Sequence, residues 1–437
     1  MTEASSENSG NEVLGCLHPP SAAGTAPGAA PSSEIRETIP GGTFDSPFLV
    51  FAGVDWWYHN RAHSDVQLAL RLAEDRRVLM VNSIGLRQPR PGRTKGFFGK
   101  ILRKARSTFK YLRRPVPGLP GFHVMTPLMI PTFGIGILRR ANPALIRLQV
   151  RTACRLLGIR KPAILLTVPT ALEVARPLER SILIYNRSDK HSAFSEADSR
   201  EIEGLERRLM QEADLVLYVN RNLMEEERTL CGGKVHYLDH GVDLEAFRPL
   251  PEDATAPELR EIPRPRVGWF GKFRDLVDLE LLIRTARELP EVRFVFVGPT
   301  ESSLEEFASL PNVHLLGPQP HSRIPSFGAG FDAALMAWKD LDWIRHSNPI
   351  KLKEYLALGL PVLSTPLPEA ERYRGPVRFA DRESFPGALA ALLRELEDPE
   401  TRKALAARAR AAVEGDTWTR RKEELCELCR LETMRKA

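Results

Sequence analysis

A lysine and a glutamate three residues apart, Lys351 and Glu354, are the residues of this sequence best placed to do chemistry. They lie in the run 347–364, which joins a polar loop, a short amphipathic helix and a buried strand. Pro349 can begin the helix and Gly359 can end it. The helical spacing then places Lys351 and Glu354 together near the N-terminal end. A helix start beside a lysine suits an anion, and α/β proteins hold phosphorylated ligands at such ends.

Glycines recur where other predicted strands of the C-terminal half stop, and one of them is followed by basic residues. These positions are Gly271 with Lys272 and Arg274, then Gly298, then Gly317. A strand that stops at glycine lets backbone N–H groups approach a phosphate, and neighbouring basic side chains add charge. The alternative is that Lys272 and Arg274 form a solvated pair on an ordinary loop.

The elements that must position these residues alternate strand and helix in both halves, which predicts an α/β fold with Rossmann-like domains. With 437 residues, 43% of them hydrophobic, the chain is long enough for two such domains. Residues 1–43 are rich in Ser, Gly, Ala and Pro and predict a disordered tail. No apolar run reaches about eighteen residues, and the acidic first residues argue against a signal peptide, so we expect a cytoplasmic protein.

The run 347–364 closely resembles the nucleotide-sugar motif of glycosyltransferases with the GT-B fold, group 1 (family 4) type. The matching residues are Asn348, Pro349, Lys351, Glu354, Tyr355, Ala357, Gly359, Pro361 and Val362. The resemblance implies that Glu354 holds the ribose hydroxyls of the donor and that the helix start at Asn348 faces its diphosphate. It also implies that Lys272 and Arg274 grip that diphosphate and that the loop after Gly317 borders the base. His346 stands where the family usually has a second glutamate.

A second stretch, 234–249, is similar to the end of the first domain in this family. The matching residues are His240, Gly241, Val242, Asp243, Phe247 and Pro249. The implied architecture is two Rossmann-like domains facing across a cleft, with a last helix that crosses back to the first domain. We therefore expect an N-terminal acceptor-binding domain at 44–243, a linker at 244–265, a C-terminal nucleotide-sugar-binding domain at 266–412 and a crossover helix at 413–437.

Asp189 and His191 are the candidate catalytic residues, because the resemblance places their loop at the cleft. Either could act as a base toward an acceptor hydroxyl, since both side chains can take a proton near neutral pH when the site tunes them. The alternative is that Asp189 caps its loop and His191 is exposed. The resemblance also implies that the leaving phosphate itself can accept the proton.

Between Asp75 and Glu173 the chain has no acidic residue, although arginine and lysine recur throughout. Within this interval, residues 96–114 place apolar side chains on one helical stripe and basic side chains off it. Such a composition predicts a helix lying on an anionic membrane surface. The alternatives are a helix packed on its own domain and, less favoured, a nucleic-acid surface, which would need aromatic platforms or a known module.

Together these patterns predict transfer of a sugar from a nucleotide diphosphate sugar to a lipid-linked or polysaccharide acceptor. The enzyme would be peripheral to the inner face of the cell membrane, and the sequence looks nearest to bacterial cell-envelope transferases of the teichuronic-acid type. We expect no cofactor, no metal and no nucleic-acid partner, since GT-B enzymes use helix dipoles and basic side chains at the diphosphate. The alternatives are a nucleotide-sugar epimerase of the same fold and a non-catalytic membrane-associated binding subunit.

Overall fold

The computed structural model describes residues 43–58, 62–84, 111–130, 136–188, 199–301 and 303–436. Within these ranges no helix is long and apolar enough to cross a membrane.

The first sheet is built from eight strands of the described N-terminal half. Their bounds are β1 Phe48–Phe51, β2 Val78–Val81, β3 Leu112–Arg113, β4 Phe122–Met125, β5 Ala163–Leu166, β6 Ile182–Arg187, β7 Leu215–Tyr218 and β8 Val235–Tyr237. They lie in the order β3-β4-β2-β1-β5-β6-β7-β8, and every pair except β3–β4 is parallel. Strand β1 therefore lies at the centre, where the strand order reverses, and parallel α/β sheets bind ligands at such a point.

The second sheet is built from six parallel strands of the described C-terminal half. Their bounds are β9 Arg266–Phe270, β10 Arg293–Val297, β11 Val313–Leu315, β12 Ala333–Met336, β13 Val362–Ser364 and β14 Val377–Phe379, in the order β11-β10-β9-β12-β13-β14. The predicted α/β fold with two parallel sheets is confirmed.

Helices cover both sheets, as parallel strands require. In the first half they span Ser64–Leu72, Gly136–Leu156, Leu172–Ala175, Ser199–Glu212 and Arg221–Cys231. In the second half they span Leu279–Glu288, Glu305–Ala308, Ile324–Gly328, Asp342–Arg345, Ile350–Ala357, Phe385–Glu395, Pro399–Ala411 and Trp418–Lys436.

The segment 386–412 forms two helices, because the Asp398 side chain accepts a hydrogen bond from Thr401 N and Pro399 begins the second. One predicted helix differs from the structure. The helix predicted over 96–114 does not reach its last residues, since Leu112 and Arg113 pair antiparallel with β4. Residues 96–110 of that segment lie outside the described residues.

The last helix, Trp418–Lys436, packs on the first domain. Leu425 and Cys429 are buried in the core that contains β1 and the Ser64–Leu72 helix. Lys422 pairs with Asp75 at 3.0 Å, and Arg76 donates to the thiol of Cys426 at 2.8 Å. The end of the chain thus contributes to the core formed by its beginning.

Candidate functional site

The three strand-end glycines lie side by side at the carboxyl edge of the second sheet. Gly271 N donates to Val297 O at 2.9 Å, and Gly298 N donates to Gly317 O at 2.8 Å. All three glycines have positive φ, of +118°, +149° and +66° in chain order. A Cβ on Gly298 would lie 2.1 Å from the carbonyl oxygen of Gly271, so this edge closes only with glycine there.

The Ile350–Ala357 helix is held against this edge by its apolar side. Leu352, Tyr355 and Leu356 are buried, as the helical spacing predicts. The Tyr355 hydroxyl accepts a hydrogen bond from Phe270 N at 2.9 Å, which ties the helix to the last residue of β9. No described side chain caps the start of the helix at Pro349, and Leu352 N donates to Pro349 O at 3.1 Å, so the N–H groups of Ile350 and Lys351 are the ones available to an anion.

Lys351 lies between this helix and the glycine edge, with its ammonium over two tryptophan rings. Nζ is 4.1 Å from the ring centroid of Trp269 and 5.3 Å from that of Trp338. A Cβ on Gly271 would lie 2.8 Å from the same nitrogen. Within the described ranges, the Lys351 side chain makes no hydrogen bond or ion pair. The ammonium is therefore held in place by aromatic faces, and Glu354, one helical turn away, is the carboxylate that favours its charged form.

Burial dominates the charge state of Lys351. It lowers the pKa of the amine to about 7; Glu354 opposes this decrease and Arg274 adds to it. Lys351 is only partly buried as a residue, and a cation–π contact of roughly 0.5–2 kcal/mol favours its charged form. The rings therefore orient the amine and oppose the effect of burial on its pKa.

Trp269 and Trp338 contact the Lys351 amine with the faces of their rings and not with their N–H groups. Both are buried, with ring centroids 5.0 Å apart at 65°. Neither indole N–H has a hydrogen-bond partner among the described residues, although buried tryptophans usually find one. What the pair supplies to Lys351 is the electron-rich surface of its rings.

Glu354 is paired with a histidine that sequence reasoning missed. His321 Nε2 lies 2.9 Å from Glu354 Oε1, and the His321 ring packs 5.3 Å from that of Phe247. Burial alone would lower the pKa of His321, but the hydrogen bond and charge of Glu354 outweigh it and raise the pKa. The only signal in the sequence is that His321 follows the strand-end Gly317 by four residues. The contact fixes the orientation of the glutamate carboxylate.

Lys272 and Arg274 lie in the loop after Gly271 and share one carboxylate, Glu301. Lys272 pairs with it closely, and Arg274 lies 3.6 Å from it. All three side chains are more than one third exposed, so this pairing is weak and exchangeable.

The Asn348 side chain points toward the first domain. Its amide donates to Val219 O at 2.7 Å and to Asp239 Oδ1 at 2.8 Å. His346 also reaches the first domain, with Nε2 2.8 Å from Glu226 Oε1. The loop before the helix thus anchors the two domains to each other, and only its backbone is left to face the glycine edge.

A buried ionic cluster lies on the opposite side of the same helix, and the sequence analysis did not foresee it. Lys353 Nζ lies 2.6 Å from Asp239 Oδ2 and 3.2 Å from Asp416 Oδ2. Arg372 also pairs with Asp239, and Arg421 pairs with Asp416. Burial alone would raise the pKa of Asp239, but Lys353 and Arg372 outweigh it and hold that pKa well below its usual range. We call these five residues the junction cluster.

The candidate catalytic residues Asp189 and His191 lie outside the described residues. The strand that leads to them is firmly held, because Arg187 at its end is buried and bonds Glu227 through two nitrogens, at 3.1 and 2.9 Å. Arg187 also pairs with buried Glu206. His240, a proton carrier that an epimerase would need, is buried beside the junction cluster, and burial lowers its pKa to about 4.

Solved structures that are similar in shape share the architecture described above. Sucrose-phosphate synthase from Thermosynechococcus elongatus superposes with a TM-score of 0.66 at 15% identity, covering 88% of this chain and 98% of that one. Anabaena HepE, solved with UDP-glucose, gives 0.61 at 16% identity over 87% and 98%. The catalytic domain of Arabidopsis thaliana starch synthase IV, solved with ADP and acarbose, gives 0.62 at 12% identity over 89% and 100%. The fold is that of GT-B glycosyltransferases.

Comparison of sequences shows which glycosyltransferases the C-terminal half is similar to. Residues 274–427 match the family described as glycosyl transferase-like, so this half carries a glycosyltransferase domain of the group 1 type. The chain is 30% identical over 200 residues to TuaH of Bacillus subtilis, whose description is a teichuronic acid biosynthesis glycosyltransferase. That match covers 43% of this chain and 49% of TuaH, about half the length of the curated relative.

Proposed function

We propose that the protein is a glycosyltransferase that moves a sugar from a nucleotide diphosphate sugar to a hydroxyl of a lipid-linked or polysaccharide acceptor at a membrane surface. The observation that carries the proposal is the position of Lys351. Its unpaired amine lies beside the uncapped start of the Ile350–Ala357 helix and against the backbone of Gly271. An amine, open N–H groups and close glycine backbone together form a site for a diphosphate.

Stabilisation of the leaving group follows from this arrangement. When the bond between the sugar and the diphosphate breaks, negative charge grows on the phosphate oxygens. Lys351 and the helix start are already oriented toward that position, so they bind the transition state more strongly than the donor. Lys272 and Arg274 are exposed enough to exchange Glu301 for the phosphates.

Donor orientation is assigned to Glu354. A carboxylate accepts hydrogen bonds from two adjacent hydroxyls, and the His321 contact holds it in one rotamer. Glu354 lies one helical turn from Lys351, so the ribose and the diphosphate of one nucleotide can be held on the same side of the helix. The acceptor then occupies the cleft side of the first domain, where β1 reverses the strand order.

Membrane association is supported by a surface on the Gly136–Leu156 helix, in the described part of the chain. The Gly136–Leu156 helix exposes Leu148 and Leu156, at 62% and 73%, with Arg151 and Arg155 exposed beside them. Leu128, also exposed, is tied to this helix because its N–H donates to Gln149 at 2.9 Å. Apolar side chains next to basic ones match an anionic lipid surface, which contributes about 1 kcal/mol per basic residue near it.

The donor half of the proposal is tested by calorimetric binding of UDP-glucose, GDP-mannose and ADP-glucose, together with assays for slow release of the nucleoside diphosphate. We expect one donor to bind and to be hydrolysed slowly. Lys351→Ala and Glu354→Ala should each weaken that binding at least tenfold, because each removes a charged contact.

The matched controls are Lys403→Ala and Glu400→Ala, two exposed residues on the Pro399–Ala411 helix. Both controls should bind like the unmodified protein. If no nucleotide sugar binds, or if the controls weaken binding as much as the site variants, the donor-site assignment is wrong.

The membrane half is tested by sedimentation with phosphatidylglycerol and phosphatidylcholine vesicles. We expect binding to the anionic vesicles, abolished in Leu148→Asp/Leu156→Asp. The control Leu431→Asp/Met434→Asp changes two exposed apolar residues of the last helix and should leave binding intact. Equal loss in both double variants, or no preference for anionic lipid, would contradict the proposed surface.

A further inference from the structure

A cavity of about 250 Å³ lies at the amino edge of the first sheet. Arg77 and Gly121, which line it, come directly before strands β2 and β4. The cleft lies at the opposite, carboxyl edge, so the cavity belongs to neither the donor site nor the acceptor site. It is smaller than the roughly 300–1,000 Å³ of pockets that bury a drug-sized ligand. The cavity therefore suits one small chemical group and not a nucleotide sugar.

The lining of this cavity combines apolar and basic side chains. The apolar members are Pro120, Leu157 and Ile159, and the basic members are Arg77 and His123. All of them come from the acid-free interval that follows Asp75. A cavity lined by one sign of charge attracts the opposite charge, and its apolar side chains favour a ligand that is partly apolar. The lining is thus complementary to a small anion that carries apolar groups.

Arg77 is fixed in orientation, and part of its guanidinium is left for a ligand. Nη1 donates to Leu157 O and to Gly158 O, both at 3.1 Å, just after the Gly136–Leu156 helix. Within the described ranges, Nε and Nη2 of Arg77 make no hydrogen bond, and the side chain has no ion pair. These two nitrogens form one edge of the guanidinium, which matches two oxygens of a phosphate.

His123 is the second polar group of the cavity. Burial lowers the pKa of its ring, a hydrogen bond with the Gly121 backbone opposes this decrease, and Arg114 adds to it. The imidazole is therefore neutral at pH 7 and can donate one hydrogen bond to an anion. Arg114, which is exposed, adds a second positive charge close to the ring.

The cavity adjoins the surface that we assign to the membrane. Leu157, in its lining, directly follows Leu156, which is 73% exposed, and Arg155, which is also exposed. A molecule in the cavity would thus lie where the end of the Gly136–Leu156 helix meets lipid. The anion that this position supplies is the headgroup of a phospholipid.

We propose that the cavity holds the phosphodiester headgroup of one anionic glycerophospholipid. Arg77 bonds the phosphate oxygens, and Leu157 and Ile159 pack on the glycerol and the first methylene groups. A choline group would bring another positive charge beside Arg77 and Arg114, so phosphatidylglycerol is preferred to phosphatidylcholine. The inference rests on the membrane half of the proposed function and is independent of the donor half. It adds a specific lipid contact to a surface that otherwise recognises only charge.

The first experiment uses a soluble lipid, so that it does not depend on vesicle binding. Calorimetric titration of the whole chain with dihexanoyl phosphatidylglycerol, below the concentration at which it forms micelles, should show binding. Dihexanoyl phosphatidylcholine and glycerol 3-phosphate should bind at least about tenfold more weakly, because one adds a positive charge and the other lacks the apolar part. No binding of the phosphatidylglycerol, or equal binding of glycerol 3-phosphate, overturns the inference and leaves the membrane surface intact.

Two matched pairs of variants test whether the lipid lies at Arg77. A Cβ on Gly158 would lie 2.5 Å from Arg77 Nη1, whereas one on Gly232 would meet nothing within 4 Å, although φ is +63° and +61° at these glycines. Gly158→Ala should therefore displace the guanidinium, and Gly232→Ala should impose only the same backbone strain. Arg77→Gln removes the guanidinium, and its control is Arg180→Gln, because Arg180 Nη1 also donates to two carbonyl groups.

Both site variants should bind dihexanoyl phosphatidylglycerol about tenfold or more weakly, the value of a hydrogen bond to a charged group. The controls should bind like the unmodified protein, and equal losses within a pair would show that Arg77 does not hold the lipid. Leu148→Asp/Leu156→Asp, which should abolish vesicle binding, should keep its affinity for the soluble lipid. Loss of that affinity would place the lipid on the helix surface and contradict the assignment to the cavity.

Discussion

Lys351 and Lys353 lie two residues apart on one helix, yet their surroundings are opposite. Lys351 faces the glycine edge, with aromatic rings around its amine and no described carboxylate paired to it. Lys353 faces the first domain and is 1% exposed between the carboxylates of Asp239 and Asp416. The first lysine is left ready for a ligand, and the second is already satisfied by the protein.

The difference shows how one short helix serves both chemistry and assembly. A cation without a partner lowers the stability of the folded protein but can increase its affinity for an anionic ligand. A buried cation with all its partners destabilises the fold strongly only when one of those partners is removed. The two roles can be separated by substitution, since the two side chains leave the helix about 200° apart.

The largest expected effect is on the free energy of unfolding, and it comes from the junction cluster. Lys353→Met removes the ammonium that buried Asp239 and partly buried Asp416 share, which should cost about 3 kcal/mol of unfolding free energy, since each carboxylate keeps one arginine partner. Lys351→Met removes a cation with no partner and should change that free energy by less than about 1 kcal/mol. Urea unfolding followed by circular dichroism measures both. If the two variants had similar urea midpoints, the proposed difference between the surroundings of Lys351 and Lys353 would be wrong.

A smaller effect is expected at two glycines, and it distinguishes the cost of backbone strain from the loss of donor binding. Gly271 and Gly375 have nearly equal φ, +118° and +115°, but a Cβ at Gly271 would meet Lys351 Nζ, whereas one at Gly375 would meet nothing within 4 Å. Gly271→Ala and Gly375→Ala should therefore each cost roughly 1–2 kcal/mol of stability. Gly271→Ala alone should weaken donor binding, by about tenfold or more, in the calorimetric assay. If the two variants bound the donor with equal affinity, the proposal that Lys351 contacts the phosphates would be wrong.

The smallest effect concerns the residue that orients Glu354. His321→Gln keeps a hydrogen-bond donor near the carboxylate, and His321→Ala leaves the carboxylate without one. We expect the affinity for the donor to fall about twofold in the first variant and about fivefold in the second, the value of one net hydrogen bond. The apparent KM for the donor should rise while kcat changes less. A kcat decrease with unchanged KM would indicate that His321 acts on the reacting atoms instead.

Local pattern predicted the elements around Lys351 because they depend on neighbours in sequence. The spacing of Leu352, Tyr355 and Leu356 predicted that these apolar side chains are buried, although Lys353 and Glu354 are buried as well. Glycines predicted where three strands end. The Asp398–Pro399 helix boundary depends on neighbours in the same way, as a capping side chain followed by proline.

The junction cluster could not be predicted, since its members come from segments far apart in sequence. Asp239, Lys353, Arg372 and Asp416 each look like an ordinary charged residue, and only the fold brings them within hydrogen-bond distance. Asn348 shows the same effect. Its motif pointed to the phosphates, whereas its side chain is taken by Val219 and Asp239 across the junction.

The chain passes between the two domains twice, and its two passages touch. Val242 N, on the way out of the first domain, donates to Asp416 O at 2.7 Å, and Val242 forms a bridge with Thr417, on the way back. A Cβ on Gly241 would lie 2.5 Å from Trp418 N, so the passages meet without room between them. Two covalent connections that also bond each other constrain the two domains more than either connection would alone, so the relative placement of the domains is set in part by the backbone itself.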